Sequence, residues 1–259
     1  MNGGISSFFY FITGAALLLS VLGLWFTALI PGINHWGKRF FIGYFFVLLL
    51  SSVCVLIEMI LHDYPVPSVS IYCLQLLESL LLSLPMPMQT AYLLHCCGES
   101  LRASKLLRAV IGLWAVFFVL LVSVPFIDGF IYIRSETRYY RGPLHPLLLT
   151  PIIGVLLLNF AGALRRRARL SRKAFLSFMV ALAPMTITLI VNLFADAVPI
   201  FDISYVLSAL AMYSLVLSDQ LEQDRRQQRE IANQRASIMV LQMRPHFIYN
   251  KWQENRCRL

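Results

Sequence analysis

Apolar residues come in blocks along this chain. Residues 8–30, 41–61, 71–94, 106–127, 146–164, 174–194 and 199–217 are apolar nearly throughout, and short polar segments separate them. Each block approaches the roughly 20 residues that a helix needs to cross a bilayer. None shows the alternation that the strands of a membrane barrel require, and a spanning helix satisfies its own backbone groups without water. Seven spanning helices are therefore predicted. Past residue 217 the pattern changes. Asp219, Glu222, Asp224, Arg225, Arg226, Arg229, Glu230 and Arg235 alternate in sign among good helix formers, with no Gly or Pro before Pro245. Leu217, Leu221, Ile231 and Ile238 share a 3–4 spacing with Asp224, Gln228 and Arg235, which makes a poor coiled-coil seam. The predicted fold is all-α: a polytopic membrane protein with seven transmembrane helices followed by a cytoplasmic signalling helix.

Composition supports the membrane reading. Hydrophobic residues make up 58% and charged residues 14%, whereas soluble domains carry about half and about a quarter. The net charge of +9 does not point to nucleic acid, because the densest basic run, Arg165, Arg166, Arg167, Arg169, Arg172 and Lys173, lies between two apolar blocks. Basic clusters there orient a membrane protein and meet anionic lipid. With the amino terminus outside, the inner side collects Lys38, Arg39, Arg102, Lys105 and Arg108 as well as that run. The outer loops keep Arg134, Arg138 and Arg141, so the bias is eleven against three. Asp63 and the pair Asp196 and Asp202 are read as acidic outer turns. The charge bias places the carboxyl terminus in the cytoplasm. No Lys or Arg precedes the first block, so it is read as a span and not a cleaved signal.

Several residues inside the blocks carry chemistry. A carboxylate at bilayer depth is costly and faces a partner or a wet cavity, which marks Glu58 and Glu78 as candidate sensing residues. Pro85 and Pro87 are expected to break or kink the third span, and Pro184 to bend the sixth. Broken spans frame binding cavities in some membrane proteins. The loop from residue 128 to 145 interleaves Tyr132, Tyr139 and Tyr140 with Arg134, Arg138 and Arg141. An interfacial aromatic belt is the main reading, and capture of an anionic ligand the alternative. Cys54, Cys73, Cys96, Cys97 and Cys257 form no metal-ligand or disulfide spacing, so no metal site is expected.

The string Arg244, Pro245, His246, Phe247, Ile248, Tyr249, Asn250 follows the charged segment. A neutral imidazole can attack a γ-phosphate. Asn250 lies four residues on, so it shares a helical face with His246. Arg244 suits a phosphate's charge, and Pro245 is expected to disturb the helix just before the histidine. The string resembles the phosphoacceptor box R-P-H-F-x-x-N of two-component sensor histidine kinases of the Lyt-type, autolysis-sensor-like branch. A seven-span amino-terminal sensor and a charged linker also resemble that branch. The resemblance implies a sensor domain over residues 1–217, a linker helix over 218–241, the box over 242–250 and a divergent tail over 251–259.

It also implies a homodimer or a dimer with a full-length kinase, and a response regulator as partner, beside membrane lipid and without nucleic acid. ATP and Mg are expected only in a separate ATP-binding domain. Residues 251–259 hold no glycine-rich phosphate cradle, so a truncated or frame-shifted gene, or a fragment, is expected, with no cofactor held here. The expected function is signal perception coupled to phosphorelay through His246, without autophosphorylation by this chain alone. The alternatives are a non-enzymatic receptor-like protein that pairs with a full-length kinase, and a small transporter that uses Glu58 and Glu78.

Overall fold

The computed structural model describes the backbone of residues 3–29, 35–61, 64, 68–126, 131–135, 138–194 and 198–256, and the side chains of these residues except 3–6, 68, 131–141, 145, 192–199 and 240–256. Helices α1 (Gly3–Leu29), α2 (His35–Leu61), α3 (Ser68–Ser83), α4 (Pro85–Cys96), α5 (Lys105–Ser123), α6 (His145–Arg165), α7 (Arg172–Phe194) and α8 (Val198–Arg256) follow in order. Among the described residues, seven helical stretches are long and apolar enough to cross a membrane; α3 and α4 together make the third. The protein is an all-α, multi-pass membrane protein. The chain divides into two compact units, Met1–Val216 and Leu217–Leu259.

In the first unit α1 packs on α2, and α2 also meets α3 and α4. Helix α4 touches α5, α6 and α7. Phe41, Tyr44, Phe45, Leu48, Met86, Leu93 and Leu94 fill the interior. Large apolar side chains such as Phe11, Trp25, Val119, Leu157 and Ile187 point outward, more than 60% exposed. In water that would be a liability, and in lipid it is the solvated surface. Small residues permit the closest approach: the site where a Cβ would stand on Gly23 lies 2.5 Å from the Phe45 ring, as small residues allow between membrane helices.

Pro85 and Pro87 break the third span as expected. Helix α3 ends at Ser83, Leu84 forms the turn, and α4 restarts at Pro85, where a missing N–H is tolerated. The indole of Trp114 on α5 donates to Ser83 Oγ at 2.9 Å, beside the break. Helix α7 continues through Pro184. One turn earlier, the Ala181 carbonyl accepts from Ser208 Oγ on α8 at 2.6 Å. A hydroxyl from a neighbouring helix thus bonds a backbone carbonyl and ties the head of α8 to α7 near the proline.

One expectation needs correction. The segment between α5 and α6 is more than loop: β1 (Ile131–Ser135) and β2 (Arg138–Arg141) form an antiparallel hairpin with Tyr132 opposite Tyr140 and a bulge between Ile133 and Ser135. Its Ile and Tyr residues favour a pleated backbone, and the local periodicity is too short to announce it. Pro245 lies inside α8, which is helical from Val198 to Arg256, past the box and into the tail. A proline inside a helix removes one intrahelical bond, and the good helix formers Gln242, Met243 and Arg244 precede it.

In the second unit, the described side chains from Gln223 to Met239 are all exposed. Arg226 Nη2 donates to Glu222 Oε1 at 2.6 Å, and Gln223 to Asp219 at 3.3 Å, both four residues apart on the helix. Such pairs support a solvated helix by about 0.2–0.5 kcal/mol each.

Candidate functional site

Three carboxyl groups from three helices converge inside the first unit. Glu58 lies near the end of α2, Glu78 in the middle of α3, and Asp202 one turn into α8. Glu78 is 4% exposed and Asp202 0%, while Glu58 is half-buried. The carboxyl groups of Glu58 and Glu78 lie within hydrogen-bonding reach of each other, and Asp202 is close enough to act on Glu78 electrostatically. Gln75 Nε2, one turn from Glu78, donates to Glu58 Oε1 at 2.7 Å. Ser51 Oγ of α2 donates to Asp202 Oδ1 at 3.3 Å, and Ser52 is a further neighbour of that carboxylate. Among the described residues, Glu78 Oε2 and Asp202 Oδ2 have no partner.

The sequence pointed to Glu58 and Glu78 but assigned Asp202 to an outer turn. Its carboxylate is instead buried against α2. The available signal was its place within the last apolar block, where an acid is as unusual as in the second and third.

Pro85 and Pro87, also candidates, belong to a different polar group. Pro85 is buried at the start of α4. Asn159 of α6 donates from Nδ2 to the Met86 carbonyl at 3.1 Å, and Thr90 Oγ1 donates to Asn159 Oδ1 at 2.5 Å. Gln89 donates to Tyr44 Oη of α2 at 3.0 Å. These bonds tie α4 to α2 and α6 around the break, and they consume the polar atoms they join.

A third cluster closes one end of the bundle. Gly98, with φ at +69°, ends α4. Glu99 N donates to the Leu94 carbonyl and Gly98 N to that of His95, a glycine-dependent helix stop. The turn delivers Glu99 to Arg166, which grips it with two bonds of 2.9 and 2.8 Å, and Arg169 adds a third at 3.1 Å. The Arg166 bond holds the Glu99 carboxyl below its ordinary range. Burial pushes the neighbouring Cys97 thiol up, although Arg166 opposes it. The Trp36 ring stacks on His95 at 3.8 Å. The start of α2 and the ends of α4 and α6 therefore share this end, and with them Lys38, Arg39, Arg102 and Arg165 to Lys173.

The backbone of Arg244, Pro245, His246, Phe247 and Asn250 lies within α8, and their side chains lie outside the described residues. Among the described residues no group of three or more His, Cys, Asp or Glu could hold a metal ion. Comparison with known proteins finds no matching family model and no matching curated protein.

Proposed function

We propose that this chain is the membrane sensor portion of a two-component histidine kinase, with His246 as phosphoacceptor. The observation that carries the reading is the Arg-Pro-His-Phe…Asn string beyond the last apolar stretch, within the same helix, α8. The buried polar residues at the head of that helix support a sensing role, because intramembrane ionisable groups mark functional positions. The basic end of the bundle faces the cytoplasm in this reading.

The chemistry asked of the box is one substitution at phosphorus. An imidazole nitrogen of His246 attacks the γ-phosphorus of ATP, the bond to the ADP oxygen breaks, and ADP leaves. Arg244 offsets charge on the phosphoryl group, and Asn250, on the same helical face, steadies ring or phosphoryl. ATP and its Mg come from an ATP-binding domain, and a response regulator takes the phosphoryl onward. The stimulus acts in the spans by favouring one of two packings of nearly equal energy.

The test is phosphotransfer in trans. The purified chain in lipid, mixed with a full-length kinase of the Lyt-type branch and γ-labelled ATP, takes up acid-labile, base-stable label, and His246→Gln takes up none. Equal labelling of native chain and variant, or label on neither, overturns the assignment.

A further inference from the structure

Among the described residues the three carboxyl groups have no counter-ion. The groups facing them are Ser51, Ser52 and Cys54 on α2 and Gln75 on α3. From α1, Tyr10 and Thr13 reach Met59, the residue next to Glu58, and neither carries a charge. Among the described residues, the charged groups acting on Glu78 are Glu58 and Asp202, both acidic. All three acids also act on the buried Cys54.

Ionised carboxylate oxygens accept hydrogen bonds and donate none. Glu78 Oε2 and Asp202 Oδ2 are buried acceptors with no donor, an arrangement whose desolvation is costly for a neutral group and far more so for a charge. The nearest amide, Gln75 Nε2, already serves Glu58. Two carboxyl groups within hydrogen-bonding reach attract each other only when a proton lies on one of them. Without it they repel, as paired carboxylates do.

We propose that Glu58, Glu78 and Asp202 form a proton-binding site, in which one proton bridges Glu58 and Glu78 and the charge of Asp202 attracts it. Glu58, the least buried of the three, is the entry point. The bound proton draws α3 onto α2 beside the head of α8. Its loss leaves adjacent negative charges among three helices in low dielectric, and those helices move apart or admit water. Proton occupancy thereby becomes a packing variable of the membrane domain. The inference rests on the first unit alone and stands whether or not His246 accepts phosphate.

Infrared difference spectroscopy on the full chain in lipid nanodiscs, titrated with pH in H2O and D2O, reads the site directly. A protonated-carboxyl band should appear as pH falls and shift in D2O. Glu78→Gln should lose it. Glu58→Gln should lose it too, because the new amide donates where the proton did, and this half-buried position provides the measurement if Glu78→Gln fails to fold. Asp202→Asn should keep the band. The proposal is overturned if the band is absent at every pH, if it persists in the glutamate variants, or if it follows Asp202 instead. Displacement of the band when sodium replaces a bulky organic cation would also overturn it, by making the ligand a metal cation.

Discussion

At the scale of single residues, burial and charge separate the carboxylates of this protein into two kinds. Glu99 has a guanidinium on it, whereas among the described residues Glu78 lies against Glu58 and Asp202 against the hydroxyls of Ser51 and Ser52. Arg166 holds the folded-state value of Glu99 below the ordinary 4.5. Its stabilisation is therefore complete above about pH 4.5, where the unfolded group is also ionised, and disappears as pH falls through the lower folded value. The pair is partly exposed, so Glu99→Gln should lower stability by about 1 kcal/mol or less. Thermal unfolding of native chain and variant should differ at pH 7 and converge in acid; a gap that persists in acid would exclude the ion pair as its cause. This pairing was not legible in the chain, because α5, the hairpin and α6 separate Glu99 from Arg166. Gly98 was the only local signal, as a glycine at a helix end.

At the scale of elements, the helices owe their contacts to a few small or polar positions. The break at Leu84 was legible, since two prolines two residues apart leave a helix no choice. The bond from Ser208 to the Ala181 carbonyl was not, since it depends on which helix stands beside α7. Gly23 is the sharpest case. A methyl group there would collide with the Phe45 ring, which is fully buried. Gly23→Ala should destabilise the protein by about 1–3 kcal/mol, as overpacking does. Gly14→Ala, on the same helix with nothing within 4 Å, should be neutral or slightly stabilising, because alanine favours a helix. Melting in one detergent compares them, and equal melting temperatures would mean that α1 and α2 do not pack through Gly23.

At the scale of the molecule, charge asymmetry meets geometry. The ion pair of Glu99 with Arg166 and the stack of Trp36 on His95 gather the basic loops at one end of the bundle. The turn after α2, with Tyr64, belongs to the other end. If the basic end faces the cytoplasm, an impermeant maleimide added to intact cells should label Tyr64→Cys and should reach Arg102→Cys only after the membrane is opened. Both native side chains are exposed. The reverse pattern would place His246 outside the cell and remove its access to ATP.

Seven apolar stretches, their approximate limits and the broken third span were written in the sequence, because lipid imposes length and composition on each helix separately. Glu58 and Glu78 stood out for the same reason: a carboxylate is conspicuous in an apolar block wherever its partners are. That Asp202 joins them, that Ser51 is its donor and that no cation among the described residues attends the three were decided by tertiary structure alone. Which faces of α2, α3 and α8 meet depends on packing between segments far apart in the chain, and apolar patterning that surrounds a helix on all sides does not specify a face.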